Sequence, residues 1–177
     1  MDQRPQPVLV SIAGDTEKPV IGRLIQLYKH DFSEFAKVGE PYGEIGDDGL
    51  FRYDHLDSYW TDTRRKPVLF RAHTHIAGFA LVNDWGASGL AVDYGMAEFF
   101  VLRKYRRIGI GKNAAQQLFQ QYPGIWEIAV AAYNRPAMTF WRSVIASIRK
   151  YRVDELTGDG HRWSGPIWRL TPGHATL

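Results

Sequence analysis

Apolar positions along this chain change their spacing several times, and each change predicts an element. Residues 8–13, VLVSIA, form a short apolar run and predict a first strand. Gly14 and Asp15 turn the chain, and Asp15 or Thr16 is placed to cap a helix. Val20, Ile21, Leu24, Ile25, Tyr28, Phe32 and Phe35 then recur at helical spacing. Pro19 falls in the first turn, where its missing N–H costs nothing, and Gly39 is the expected stop. Residues 39–50 are dense in glycine and turn formers and predict a loop, followed by a short helix within 54–61.

Residues 67–73 and 75–84 predict two strands of a tight hairpin. A turn over Trp85 to Gly89 leads to a long strand at 91–102. A helix over 109–121 would bury Ala114, Ala115, Leu118 and Tyr122, and Pro123-Gly124 stop it. A strand at 125–132 comes next, then a helix capped by Asn134 with Pro136 in its first turn. Turn formers at Gly158 to Gly160 and an apolar GPIWRL predict closing antiparallel strands. Strand, helix, strand in the second half implies parallel pairing of 91–102 with 125–132, whereas hairpins dominate the first half. The expected fold is α/β, a mixed sheet with helices on both faces, in a single domain over residues 1–177.

Composition narrows the compartment and the chemistry. A hydrophobic fraction of 45% and an aromatic fraction of 14% fit a globular protein. No run approaches the roughly 18 apolar residues of a membrane span, and the N-terminal apolar run is too short for a secretory signal. The expected compartment is therefore the cytoplasm, with no membrane partner. The absence of cysteine excludes disulfides and thiolate metal sites. A net charge of +3 does not argue for nucleic acid, and its distribution says more than its sum. Arg103, Lys104, Arg106, Arg107 and Lys112 crowd one loop without an acid. Glu40, Glu44, Asp47, Asp48, Asp54 and Asp57 crowd another with only Arg52, among Tyr42, Phe51, Tyr53, Tyr59 and Trp60.

The basic loop ends in Gly109-x-Gly111 at a helix start. Backbone N–H groups there lack intrahelical partners, and glycines let a phosphate approach them. A ligand with a pyrophosphate is the expected occupant. A P-loop is excluded because Lys112 precedes Asn113 and one residue separates the glycines. The hairpins upstream do not fit a dinucleotide-binding fold. His73 and His75 have a spacing that can hold a metal, but no third ligand is evident and no metal is expected.

Arg106-Arg107-Ile108-Gly109-Ile110-Gly111, after a strand ending Phe-Val, resembles the Arg/Gln-x-x-Gly-x-Gly/Ala signature of the GNAT superfamily of N-acetyltransferases. Asn134-x-x-Ala137-x-x-Phe140-Trp141 resembles that family's second segment, and the order of elements is similar over nearly the whole chain. The resemblance implies a sheet with one splayed parallel pair and acetyl-CoA as cosubstrate. It implies direct transfer to a small-molecule or peptide amine in a ternary complex. The backbone from Arg107 through Ile108, Gly109, Ile110 and Gly111 to Lys112 would cradle the CoA pyrophosphate, with charge from Arg106 and Arg107. Phe100, Val101 and Leu102 would pair with the pantetheine arm, and the Val101 N–H would polarise the thioester carbonyl. Asn134 would bond the pantetheine, and Ala137 would leave it room.

The family often has a tyrosine that protonates the leaving thiolate, and its place here is held by Trp141. Indole is not a general acid near neutral pH. Tyr133, Tyr151 or water could serve instead, or the thiolate could leave unaided. Glu98 is the candidate general base, with Asp93 and Tyr94 behind it; the competing reading of Glu98 is a paired strand residue. The acidic, aromatic region at 40–60 is a candidate wall of the acceptor pocket, or a solvated loop with its aromatics turned to the core. The alternative to an enzyme is a non-catalytic acyl-CoA-binding module. Pairing through the C-terminal hairpin would make a homodimer.

Overall fold

The computed structural model describes residues 7–38, 40 and 43–173; the helix stop expected at Gly39, and Tyr42, lie outside the described residues. Among the described residues, seven strands form one sheet in the order β1-β2-β3-β4-β5-β7-β6. They are β1 Val8–Ile12, β2 Lys66–Ala72, β3 His75–Asn83, β4 Tyr94–Val101, β5 Trp126–Ala129, β6 Tyr151–Thr157 and β7 Pro166–Pro172. Neighbours run antiparallel except β4 and β5, which are parallel. The closing strands do not follow chain order: β7 lies between β5 and β6.

Helices α1 Lys18–Ser33 and α2 Ser58–Thr61 pack on one face, where Ile21, Leu24, Ile25 and Tyr59 meet Leu69, Phe79, Leu81 and Phe100. Helices α3 Ile110–Gln121 and α4 Arg135–Ile145 pack on the other, where Ala114, Leu118, Trp141 and Val144 meet Phe70, Ala80, Val82 and Met96. The period-2 pattern of the strands thus feeds two cores, one per face.

Several element ends differ from expectation for local reasons. Neither Asp15 nor Thr16 caps α1; residues Asp15–Glu17 form a 3-10 turn, and the Glu17 carboxylate accepts from the Gly14 N–H at 3.1 Å. Helix α1 ends at Ser33, so Phe35 lies beyond it. Strand β4 starts at Tyr94 because Asp93 ties down the next segment, accepting from the Ile125 N–H at 2.7 Å. His73 sits in the β2–β3 turn with φ 54°, while His75 opens β3, so the two do not share a strand face.

One irregularity positions the site. Leu81 pairs with Glu98 but Val82 pairs with Met96, which makes Ala97 an extra residue in β4. Such a bulge shifts the side-chain alternation by one. Met96 therefore points into the α3/α4 core while Glu98 points to the opposite face, where α1 meets it.

Candidate active site

Strand β4 carries the site, and its two edges are in different states. On the β3 side, the Leu102 N–H donates to the Ala77 carbonyl at 2.8 Å. The Phe100 carbonyl presses on Gly78 so closely that a Cβ there would lie 2.0 Å from it. Backbone groups of successive strand residues alternate between edges, so the Val101 N–H and C=O turn toward β5. There the partner is missing: β4 and β5 pair only at Tyr94–Trp126 and Gly95–Glu127 and then part. Residues 96–101 present a backbone edge to the resulting gap.

The gap leads to the start of α3. Gly109 is its N-cap, with φ 86°, a left-handed conformation that costs a residue with a Cβ. A Cβ on Gly109 would meet nothing within 4 Å, so the space above this backbone is open. The N–H groups of Ile110, Gly111 and Lys112 occupy the first turn, where backbone donors lack intrahelical partners. An open, donor-lined helix start beside an unpaired strand edge fits a pyrophosphate carrying an extended amide arm, as CoA does.

The loop's side chains divide between α1 and solvent. Arg106 turns back toward α1: its Nη2 lies 2.6 Å from Asp31, its Nε donates to the Val101 carbonyl at 2.7 Å, and its guanidinium covers the Phe100 ring. Arg103 bonds the other Asp31 oxygen at 2.7 Å. Burial raises the Asp31 pKa, but the bonds and charges of Arg106 and Arg103 outweigh it and hold the carboxyl below its ordinary value. Of the two arginines expected to add charge to the cradle, both are exposed, but Arg106 is engaged by Asp31, whereas Arg107 stands at φ 64°. Gly111 also has a second role: a Cβ there would lie 3.1 Å from the Phe140 ring and 3.2 Å from Val101, so it sets how closely α3 packs.

On α4, the Asn134 side chain caps the helix as expected, accepting from the Ala137 N–H at 3.0 Å. Trp141 is 5% exposed and packs edge-on against Phe99 at 5.0 Å between ring centres. Of the phenols weighed as replacement acids, Tyr151 donates to the Phe119 carbonyl on the α3 side, and Tyr133 is exposed with its ring against Phe35. Tyr94 is packed between Tyr122 and Trp126, and Asp93 is the structural tie described above.

Glu98 lies across the gap on the α1 face. It keeps some contact with solvent, yet protein crowds it enough that burial pushes its pKa above the ordinary carboxylate value. The hydrogen bond from Tyr28 on α1, the nearby hydroxyl of Tyr53 in the acidic loop, and the charge of Lys29 act in the opposite sense. Among the described residues, no arginine pairs with it. The aromatics of the 40–60 region divide: Tyr53 and Tyr59 pack into the α1-side core near Glu98, while Trp60 donates its indole N–H to the Ala13 carbonyl. The acids there stay near solvent, with Asp57 paired to Lys18 and Asp48 to Arg52. Phe51, Tyr53 and Leu56 cover α1 residues Gly22, Ile25 and Gln26 around a cleft of about 320 Å³.

Sequence reading missed Tyr28 and Asp31 as members of this site. Tyr28 and Asp31 are three apart on α1, the spacing of one helix face, which is the signal that could have flagged them. It also missed Glu127, buried at 2% exposure, which binds Arg169 at 2.6 Å and the Ser88 hydroxyl at 2.5 Å behind the sheet.

A family model described as the acetyltransferase (GNAT) family matches residues 23–144. No curated protein matches the chain. Among solved structures, an acetyltransferase from Thermus thermophilus superposes with a TM-score of 0.66 at 13% identity, covering 96% of this chain and 99% of that one. A putative acetyltransferase from Salmonella typhimurium with its cofactor acetyl-CoA gives 0.54 at 11% identity, covering 96% of each chain. The ribosomal-protein-S18-alanine N-acetyltransferase from Escherichia coli gives 0.56 at 12% identity, covering 97% and 99%. At such identities the superpositions establish a shared fold, and the family match extends from α1 to the end of α4. The chain belongs to the acetyltransferase (GNAT) family.

Proposed function

We propose that the protein is an N-acetyltransferase that moves an acetyl group from acetyl-CoA to an amine by direct attack in a ternary complex. The observation that carries this reading is the unpaired edge of β4, which aims the Val101 N–H into a gap joining the α3 start to Glu98. In this reading the N–H groups of Ile110, Gly111 and Lys112, with the Arg107 and Lys112 charges, bind the pyrophosphate. Within the expected Phe100 to Leu102 segment, the pantetheine amides pair at Val101, since the Phe100 carbonyl and the Leu102 N–H face β3. Asn134 assists through its Nδ2, since its Oδ1 caps the helix. The Val101 N–H donates to the thioester oxygen as charge develops on it.

Glu98, through water, takes a proton from the acceptor ammonium. The amine nitrogen then forms the C–N bond, its second proton passes to water, the C–S bond breaks, and the thiolate leaves with the electron pair. The Trp141 indole N–H is not acidic near neutral pH, so solvent protonates the thiolate. Two fold relatives are named for amine acetylation, one of a protein alanine and one of an aminoglycoside. The experiment is thiol release from acetyl-CoA across a panel of peptides and small amines, with calorimetry of CoA binding. Turnover with any amine supports the reading. CoA binding with no turnover supports the non-catalytic module, which the tryptophan at position 141 favours. Failure to bind CoA overturns both.

A further inference from the structure

Two carboxylates lie where α1 meets the end of β4, and their partners differ. Asp31 of α1 holds the guanidiniums of Arg103 and Arg106. Glu98 of β4 is met by a phenol instead: Tyr28, three residues before Asp31 on α1, donates its hydroxyl to Glu98 Oε2. Core packing aims that hydroxyl from three sides. The Phe32 ring, one turn further along α1, lies 4.8 Å from the Tyr28 ring between centres. Phe79 of β3 and Phe100 of β4 meet the Tyr28 ring edge-on at 6.0 and 5.9 Å. Phe100 and Glu98 are two apart on β4 and share its α1 face, so the Tyr28 ring lies against one while its hydroxyl reaches the other. The further titratable groups around Glu98 are Lys29 of α1, Tyr53 of the acidic loop and Tyr59 of α2. Strand β3 contributes the apolar Leu81 and Phe79. The bond takes one carboxylate oxygen while Glu98 keeps contact with solvent, so the acid is held without being sealed off.

We propose that Tyr28 is a positioning residue for acetyl transfer, holding the Glu98 carboxylate in one orientation toward the acceptor ammonium. The proposal rests on Glu98 serving as the base. A glutamate side chain samples several rotamers, and fixing one costs up to about 1.5–2 kcal/mol. A donor on a ring that cannot turn away offsets that cost before the acceptor arrives. The donor is also neutral. A phenol supports the ionised acid through one hydrogen bond, without the full charge of a guanidinium, which would leave the carboxylate a poor base. Asp31 shows the alternative one helical turn away: two arginines hold its carboxyl below the ordinary value, whereas that of Glu98 stays above it. Environments that push two acids apart in this way separate a base from a structural anchor.

Tyr28→Phe keeps the three ring contacts and removes the hydroxyl. Protein labelled with carbon-13 at glutamate carboxyls gives a Glu98 resonance, identified by its loss in Glu98→Gln and read without an acceptor. In Tyr28→Phe its midpoint should move upward by roughly 0.5–1 on the pH scale, the size of one hydrogen bond. With an amine that turns over, kcat should fall roughly five- to tenfold, and the acid limb of the pH–rate profile should move up with the midpoint. A merely structural tyrosine would lower Tm and leave that limb in place. An unmoved midpoint overturns the proposal, as does an unmoved limb. Should Tyr28→Phe not fold, the parent labelled at tyrosine ζ-carbons decides alone. Its Tyr28 resonance, assigned through the Phe79 and Phe100 rings, should shift through the Glu98 midpoint, and a flat response overturns the proposal. Calorimetry with CoA on the same proteins separates the two readings. Absent CoA binding by the parent overturns the acetyltransferase reading, whereas normal binding with an unmoved midpoint overturns only the role of Tyr28.

Discussion

Tyr28 on α1 donates its hydroxyl to the carboxylate of Glu98 on β4, across the face opposite the α3/α4 core. The bond joins the helix that would wall the acceptor side to the strand that would hold the cosubstrate. It also places a crowded acid where its protonation matters for both activity and stability. Burial raises the Glu98 pKa, so a base at this position loses activity as pH falls through that raised value. Glu98→Gln should lower kcat about 10²-fold or more and abolish this acid limb, as measured by pH–rate profiles. The stability sign is opposite. A folded pKa above the unfolded one favours folding below the unfolded pKa, and that contribution is lost as pH rises through the folded value. Glu98→Gln should therefore raise Tm near neutral pH and change it little in acid.

Gly109 and Gly111 should fail differently. Gly109→Val puts a branched side chain at φ 86°, costing about 1–2 kcal/mol, and places it over the open helix start. Calorimetry should show CoA affinity reduced about tenfold or more, and Gly109→Asn, which tolerates this conformation, should lose less. Gly111→Ala presses on Phe140 and Val101, so thermal melts should show a stability loss of about 1–3 kcal/mol even without CoA.

Asp31 holds Arg103 and Arg106 together, and its pKa is lowered by them in spite of burial. A depressed folded pKa gives stability above the unfolded pKa that is lost as pH falls through the folded value. Asp31→Asn should lower Tm at neutral pH and flatten its fall in acid. Releasing Arg106 from α1 frees its guanidinium and the Val101 carbonyl together, so CoA affinity should also change, and calorimetry reads it.

Asn134 has two separable roles. Asn134→Ala removes the α4 cap and should cost about 1 kcal/mol in denaturant melts. Asn134→Asp keeps an accepting oxygen and should retain stability while losing the amide donor proposed for the pantetheine. Equal CoA affinity for the parent and Asn134→Asp would remove that donor from the site.

Much of this architecture was legible because it is local. The Gly109 turn, the Asn134 cap, the β2–β3 hairpin and the strand–loop–helix order depend on residues a few positions apart. Their signals are steric or involve neighbouring hydrogen bonds, so sequence spacing carries them. The Glu98 position was legible too, but its alternatives were not resolvable. Whether it was a paired strand residue or a crowded acid depended on Tyr28 and Tyr53, far away in the chain. The pairing of Arg106 with Asp31 was not legible for the same reason: Asp31 lies on a helix packed from another segment.

The sequence by itself determined where the strands and helices lie, which glycine opens the helix start, and which acid stands on the central strand. It did so because period, caps and left-handed turns are properties of short stretches. The tertiary structure alone decided that β7 enters between β5 and β6, that the bulge at Ala97 turns Glu98 away from Met96, and that an unpaired edge faces the gap. Alternation says which residues face a core, but it does not say which strand is the neighbour or where pairing stops. Charge pairing follows distance in space, and only the packed chain sets those distances for Asp31, Arg103 and Arg106.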